Sequence, residues 1–283
     1  MPEVTRFAPS PTGLLHLGHV HAALRAWGPA RATGGLYLLR LEDIDAQRCR
    51  PAFAAAIVED LAWLGLAGDG PVRMQSAHMA AYAAVLAGLC ARGLVYPCFC
   101  SRADVARELA ACGHAPHGPD GAPLYPGTCR RLEAGVRAAR LAAGAPHAWR
   151  LDMAAALRAA PALRFHDQGQ GWVTAGPAGF GDVVLGRRDV PASYHLCVTH
   201  DDAVQGVTLV TRGEDLLHAT HLHVLLQHLL GWPTPAYAHH GVLRGADGAR
   251  LSKRDGALSV RALREAGMGA QEVKEKAREG LLF

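Results

Sequence analysis

Arg6-Phe7-Ala8-Pro9-Ser10-Pro11-Thr12-Gly13-Leu14-Leu15-His16-Leu17-Gly18-His19 is the stretch whose reading decides the fold of this chain. Residues 4–7 suit a short strand, the Pro, Ser, Thr and Gly residues break it, and the apolar pattern resumes beyond Leu14 as a helix. A helix start therefore meets the carboxyl end of a strand. Open parallel α/β sheets bind nucleotides at such junctions, because unpaired N-terminal N–H groups and the helix macrodipole both favour anions there. Residues three apart share a helix face, so His16 and His19 are expected to point at one ligand. A histidine pair on a helix is, taken alone, commonly mere polar surface.

Outward from this turn, residues 35–41 read as a buried strand running into the acidic cluster Glu42-Asp43-Ile44-Asp45. Pro51 opens a helix with Phe53, Ile57, Leu61 and Leu64 at helical spacing. Ser76 is expected to cap a second one, with Met79, Tyr82, Leu86 and Leu89, stopping at Gly93. The alternation predicts a parallel sheet, with residues 1–94 as the first half of a nucleotide-binding fold. Residues 95–192 are richer in Gly, Pro and Arg, with little periodicity over 113–127, and read as an inserted subdomain. In 193–283 the alternation returns: strands at 194–198 and 207–210, a helix over 215–230 stopped by Gly231, and a charged surface helix at 271–280. The expected class is α/β, a Rossmann-like core with an insert.

At 283 residues and 50% hydrophobic, the chain buries a substantial core. No apolar run is long enough to span a bilayer, and Pro2, Glu3 and Arg6 stand where a secretory signal would be apolar. A cytoplasmic enzyme with no membrane partner is expected. A net charge of +4 permits a nucleic-acid partner without demanding one.

Seven cysteines is an odd count. Cys98-Phe99-Cys100 and Tyr125-Pro126-Gly127-Thr128-Cys129 offer three thiols and a phenol, a set that suits zinc in a reducing compartment better than a disulfide framework. Bare spacing leaves unpaired core cysteines equally open, and Cys112, His114 and His117 are rival fourth donors. Cys49, Cys90 and Cys197 read as inert. His218, His221 and His223 read as a solvated helix face. Arg250-Leu251-Ser252-Lys253-Arg254, between Gly248 and Gly256, is by itself a small basic loop.

Together, these segments resemble the two signatures of class I aminoacyl-tRNA synthetases. P-S-P-T-G-x-L-H-L-G-H is the form found in the glutamyl and glutaminyl branch. The basic loop is similar to K-M-S-K-S, with Arg250, Leu251 and Arg254 substituted and Lys253 retained. The resemblance implies that His16, His19 and Lys253 are catalytic and bind ATP phosphates with Gly18, Arg250, Ser252 and Mg²⁺. The substrate carboxylate itself attacks the α-phosphorus, so positioning and charge neutralisation do the work. It further implies a glutamate pocket of Arg6, Ala8, Ser10, Glu42, Tyr194 at the start of a strand, and Arg212. It also implies a structural zinc held by Cys98, Cys100, Cys129 and Tyr125.

The resemblance runs from Arg6 to about Ser259. Glutamyl-tRNA synthetases carry a long anticodon-binding region after the second signature, whereas only residues 251–283 follow Arg250. In this the chain is similar to the glutamyl-queuosine tRNA(Asp) synthetase family. That likeness implies ATP-dependent activation of L-glutamate and its transfer to the cyclopentenediol of queuosine, with the tRNA(Asp) anticodon loop as partner and no DNA. The alternatives are a minimal or truncated glutamyl-tRNA synthetase charging the tRNA 3′ end, another class I-like nucleotidyltransferase, and a non-catalytic zinc-bearing RNA-binding module.

Overall fold

A computed structural model describes residues 1–111, 117–187, 190, 192–241, 243 and 258–279. β1 (Val4–Phe7) leads through the turn into α1 (Leu17–Thr33), followed by β2 (Leu36–Leu41), α2 (Pro51–Trp63), β3 (Arg73–Met74) and α3 (Met79–Ala91). Next come β4 (Val95–Cys98), α4 (Arg102–Ala111), α5 (Ala134–Ala142), β5 (Ala148–Leu151), α6 (Met153–Arg158), β6 (Arg164–Asp167), β7 (Gly171–Thr174) and β8 (Val184–Arg187). α7 (Tyr194–Val204), β9 (Leu209–Gly213), α8 (Leu217–Leu230), β10 (Ala236–His240), α9 (Val260–Glu265) and α10 (Ala270–Glu279) complete the described chain.

β1, β2 and β3 pair in parallel in that order, as do β9, β10 and β6. The two half-sheets meet where the Thr208 N–H donates to the Val4 carbonyl and the Val4 N–H to Thr208 Oγ1, both at 2.9 Å. The strand order β3-β2-β1-β9-β10 therefore reverses direction between β1 and β9. In open α/β sheets such a switch point opens a ligand crevice outside the carboxyl ends of the strands. Arg6 on β1 and Arg212 on β9 flank it.

Within 95–192, β4, β5 and β8 form an antiparallel sheet of their own, while the β6–β7 hairpin extends the main sheet through Asp167 opposite Tyr237. One apolar cluster runs from Leu86 and Leu89 on α3 through Val95, Leu151 and Met153 to Leu222 and Leu225 on α8, so the insert shares its core with the flanking helices.

The expected stops hold where stereochemistry demands them: Gly231 ends α8 at φ 68°, a left-handed conformation that costs glycine little. Three expectations are corrected. Ser76 caps nothing: it lies in a 3₁₀ turn, and its N–H and hydroxyl reach Asp43 Oδ1 and Oδ2 at 2.8 and 2.6 Å, holding the acidic loop. Residues 194–198 are helical, not a strand. Ser193 caps α7, and residues 196–202 are all buried, so a helix wrapped by protein displays no 3.6-residue alternation. The charged C-terminal helix is not only surface: Val273 and Ala277 on α10 are fully buried against α1, and His21 Nδ1 donates to the Ala277 carbonyl at 2.9 Å. Burying a valine is worth about 1.5–3 kcal/mol.

Candidate active site at the switch point

α1 starts at Leu17, two residues later than its apolar pattern suggests, because His16 is its N-cap. His16 Nδ1 accepts the Gly18 N–H at 3.1 Å, and His19 Nδ1 accepts the His16 N–H at 3.1 Å, forming a capping box made of two imidazoles. The first-turn amides are thus not left unpaired, as the sequence suggested: Gly18 is held by the ring, and His19 and Val20 by the His16 carbonyl. Both Nδ1 atoms accept, so each neutral ring carries its proton on Nε2, the donor that a phosphate oxygen needs. A side chain on Gly18 would come within 3.0 Å of His16 Cε1, which explains the glycine between the two rings. The second-signature residues Arg250, Ser252 and Lys253 lie outside the described residues.

At the switch point Arg6 is buried and already engaged. Its Nε donates to Asp202 Oδ1 at 2.9 Å and its Nη1 to the Thr211 carbonyl at 3.0 Å. Arg40, wholly buried, donates to the same Oδ1 at 2.8 Å and to Glu42 Oε1 at 3.4 Å. Burial would raise the Asp202 carboxyl, but Arg6 and Arg40 outweigh it and hold the group below its ordinary range. Glu42 moves the other way: burial pushes it up against the pull of Arg40 and Arg6. Arg212 differs from both arginines, because its partners are the rings of His239 and His223 and the hydroxyl of Thr220. Ser10, Glu42 and Tyr194 line one cleft of about 1110 Å³ that also reaches Tyr125 and His195. Ala8 is half-buried on the turn that leads into it.

Residues 3–274 match the family described as tRNA synthetases class I (E and Q), catalytic domain. The chain belongs to this family. As a class I synthetase catalytic domain it is a ligase. It is 46% identical over 96% of its length to the Glutamyl-Q tRNA(Asp) synthetase of Rhodobacter capsulatus, covering 98% of that protein. It is likewise 46% identical over 90% of its length to the protein of that name from Leptothrix cholodnii, covering 83% of it. Among solved structures, a glutamate tRNA ligase from Elizabethkingia meningosepticum, in complex with its amino acid, superposes with a TM-score of 0.76 at 30% identity. That match covers 90% of this chain and 53% of the ligase, so the chain spans about half the ligase's length.

The class I domain carries a second cluster at the edge of the cleft. Cys98 ends β4, Cys100 lies two residues on, and Cys129 is the second residue of the 3₁₀ turn after Gly127; their three sulfurs lie within 4.8 Å of one another. Cys100 Sγ is 3.4 Å from Cys129 Sγ and 3.5 Å from the Tyr125 hydroxyl, near the ligand–ligand edge of a tetrahedral zinc site. The group could hold a metal. His117 is exposed and stands apart from it, while Cys112 and His114 lie outside the described residues.

Sequence reasoning missed Arg40, Asp202 and the histidines behind Arg212. His223 is buried, not solvated, and His221 accepts the Gly176 N–H at 3.0 Å. One signal was present: Thr199-His200-Asp201-Asp202 puts four polar residues between the apolar Leu196-Cys197-Val198 and Ala203-Val204. Among the described residues no helix is long and apolar enough to cross a membrane.

Proposed function

We propose that this chain activates L-glutamate with ATP and transfers it to queuosine in the anticodon of tRNA(Asp). The observation that carries the glutamate half is the charge of Arg212. Arg6, Arg40 and Arg212 are the buried arginines among the described residues; Arg6 and Arg40 share Asp202, and Arg212 is within reach of no carboxylate of the described residues. A buried guanidinium held by neutral acceptors retains its attraction for an anionic ligand, and its fork geometry suits a carboxylate. Tyr194 and Arg6 complete that end of the pocket, Glu42 receives the ammonium, and Ala8 and Ser10 line the turn.

In the first step a carboxylate oxygen of glutamate bonds to the α-phosphorus of ATP, and the bond to the bridging oxygen breaks to release pyrophosphate. The Nε2–H groups of His16 and His19, with Lys253, Arg250 and Ser252 and the Mg²⁺ that accompanies ATP, balance charge on the departing phosphates. In the second step a hydroxyl of the acceptor attacks the glutamyl carbonyl and AMP leaves. Zinc held by Cys98, Cys100, Cys129 and Tyr125 orders the insert and takes no part in either step.

The queuosine acceptor rests on the Glutamyl-Q tRNA(Asp) synthetases that the chain resembles over most of both lengths. The test is glutamate-dependent pyrophosphate exchange without tRNA, followed by transfer of radiolabelled glutamate to tRNA(Asp) with and without queuosine. Exchange with queuosine-dependent labelling is expected. Labelling of tRNA(Glu) instead would mark a minimal glutamyl-tRNA synthetase, and tRNA binding without exchange a non-catalytic module.

A further inference from the structure

Behind Arg212 lies an ordered set of imidazoles that neither signature accounts for. Arg212 Nε donates to His239 Nε2 at 3.3 Å, Nη2 donates to Thr220 Oγ1 at 2.5 Å, and Nη1 lies 3.1 Å from His223 Nδ1. A guanidinium only donates, so the ring nitrogens facing it must accept. His239 therefore carries its proton on Nδ1, 2.6 Å from Asp167 Oδ2. The other oxygen of Asp167 is fixed by the backbone N–H groups of Gly169 and Gln170 at 2.9 and 3.1 Å. On the opposite side His223 carries its proton on Nε2, 3.1 Å from His195 Nδ1, which accepts in turn. His195 is left with its proton on Nε2, at the cleft that it lines beside Tyr194. One cation thus dictates the tautomers of three histidines on three elements: α7, α8 and β10.

We propose that Asp167 with His239, and His195 with His223, are positioning residues: two relays that present acceptor nitrogens to Arg212 and fix the orientation of its fork without neutralising it. The functional sense of the relays rests on the glutamate reading above. A direct carboxylate partner, such as Asp202 supplies to Arg6, would compete with the substrate for the same charge. In Arg212 that carboxylate stands one imidazole away, so it orients the donor shell while the positive charge stays available.

The discriminating substitution is Asp167→Asn. The amide oxygen keeps the turn contacts to Gly169 and Gln170 while the amide N–H faces His239 Nδ1. The imidazole proton then moves to Nε2, where it opposes the Arg212 Nε–H; an isosteric change that flips a tautomer disables a site without dismantling it. The KM for glutamate in pyrophosphate exchange is expected to rise about tenfold or more, the effect of losing one hydrogen bond to a charged group. The KM for ATP and the melting temperature should stay near those of the unmodified protein. An unchanged glutamate KM, or equal losses in both KM values and in stability, would overturn the proposal.

A second measurement needs no variant to fold. In the unmodified protein labelled with ¹⁵N-histidine, long-range ¹H–¹⁵N spectra should show His239 protonated on Nδ1 and His223 and His195 on Nε2. Any other assignment at His239 or His223 refutes the relay. Absence of glutamate-dependent exchange in the same preparation would sink the glutamate reading separately, since the tautomers belong to the free protein.

Discussion

The backbone N–H of Val260 donates to the carbonyl of Leu15 at 2.8 Å, and Ser259 pairs with His16 as an antiparallel bridge. The start of α9 is therefore tied through backbone to Leu15 and His16 of the histidine signature. Ser259 also caps α9, its Oγ accepting the Ala262 N–H at 3.1 Å. Ser259→Ala should cost about 1 kcal/mol, measurable by urea denaturation. An unchanged midpoint would show that the cap carries no weight.

His16 has two duties that substitution can separate. His16→Ala removes the N-cap of α1 and should lose about 1 kcal/mol together with pyrophosphate exchange, whereas His16→Asn keeps a capping acceptor and should lose only the exchange. Lys253→Ala should abolish exchange with no thermal shift. Normal turnover in Lys253→Ala or His19→Ala would remove these residues from the phosphate site.

Asp202 is the shared partner of two buried cations, Arg6 and Arg40. Asp202→Ala leaves Arg6 without a carboxylate and Arg40 with only Glu42 at 3.4 Å, and should destabilise the fold by about 3–5 kcal/mol, the range for breaking a buried pair from one side. A loss within experimental error in chemical denaturation would show that water replaces the carboxylate freely.

Metal content tests the cysteine cluster. Protein purified without chelator should contain zinc at one ion per chain, and Cys100→Ser should lower that content and melt the 95–192 segment first, as read by hydrogen exchange. Zinc-free protein with an unchanged exchange pattern would leave Cys98, Cys100 and Cys129 as core thiols.

The relay histidines also carry a pH signature. Burial, reinforced by Arg212 and only partly opposed by Asp120, pushes His195 down from 6.5 to about 4. Burial likewise lowers His223, with help from Arg212, and lowers His239 against its bond to Asp167. Histidines with folded values below their unfolded ones bind protons more readily when unfolded, so their contribution is complete above about pH 6.5 and lost as pH falls toward about 4. Denaturation midpoints should fall across that window, and replacing His195 with Gln should flatten part of the slope. A level profile between those limits would contradict the burial of these rings as neutral species.

The elements legible in the sequence are those whose boundaries local chemistry sets. Pro51, Gly93 and Gly231 mark helix ends because few other residues take those backbone positions, and β2 stands out as a short, mostly apolar run beside turns. α7 was misread because every residue from Leu196 to Asp202 is buried, so polarity carries no phase information. The placement of β6 next to β10 depends on pairing Asp167 with Tyr237, a contact that no local pattern encodes. The site divides in the same way. His16, Gly18 and His19 are adjacent in sequence and legible as a motif. Arg212 and the four relay residues around it come from five elements, β6, β9, β10, α7 and α8, and their role appears only when donors and acceptors are matched in space.

The seam between the half-sheets has a bearing on biosynthesis. Val4 meets Thr208 across 204 residues of chain, so the inner edge of β1 has no neighbour until most of the polypeptide has been translated. At typical elongation rates of about 5–20 residues per second, that leaves an edge of unpaired backbone N–H and C=O groups open for on the order of ten seconds or more. A nascent chain stalled before Thr208 should consequently leave the Val4 amide open to hydrogen exchange that one released beyond β10 slows.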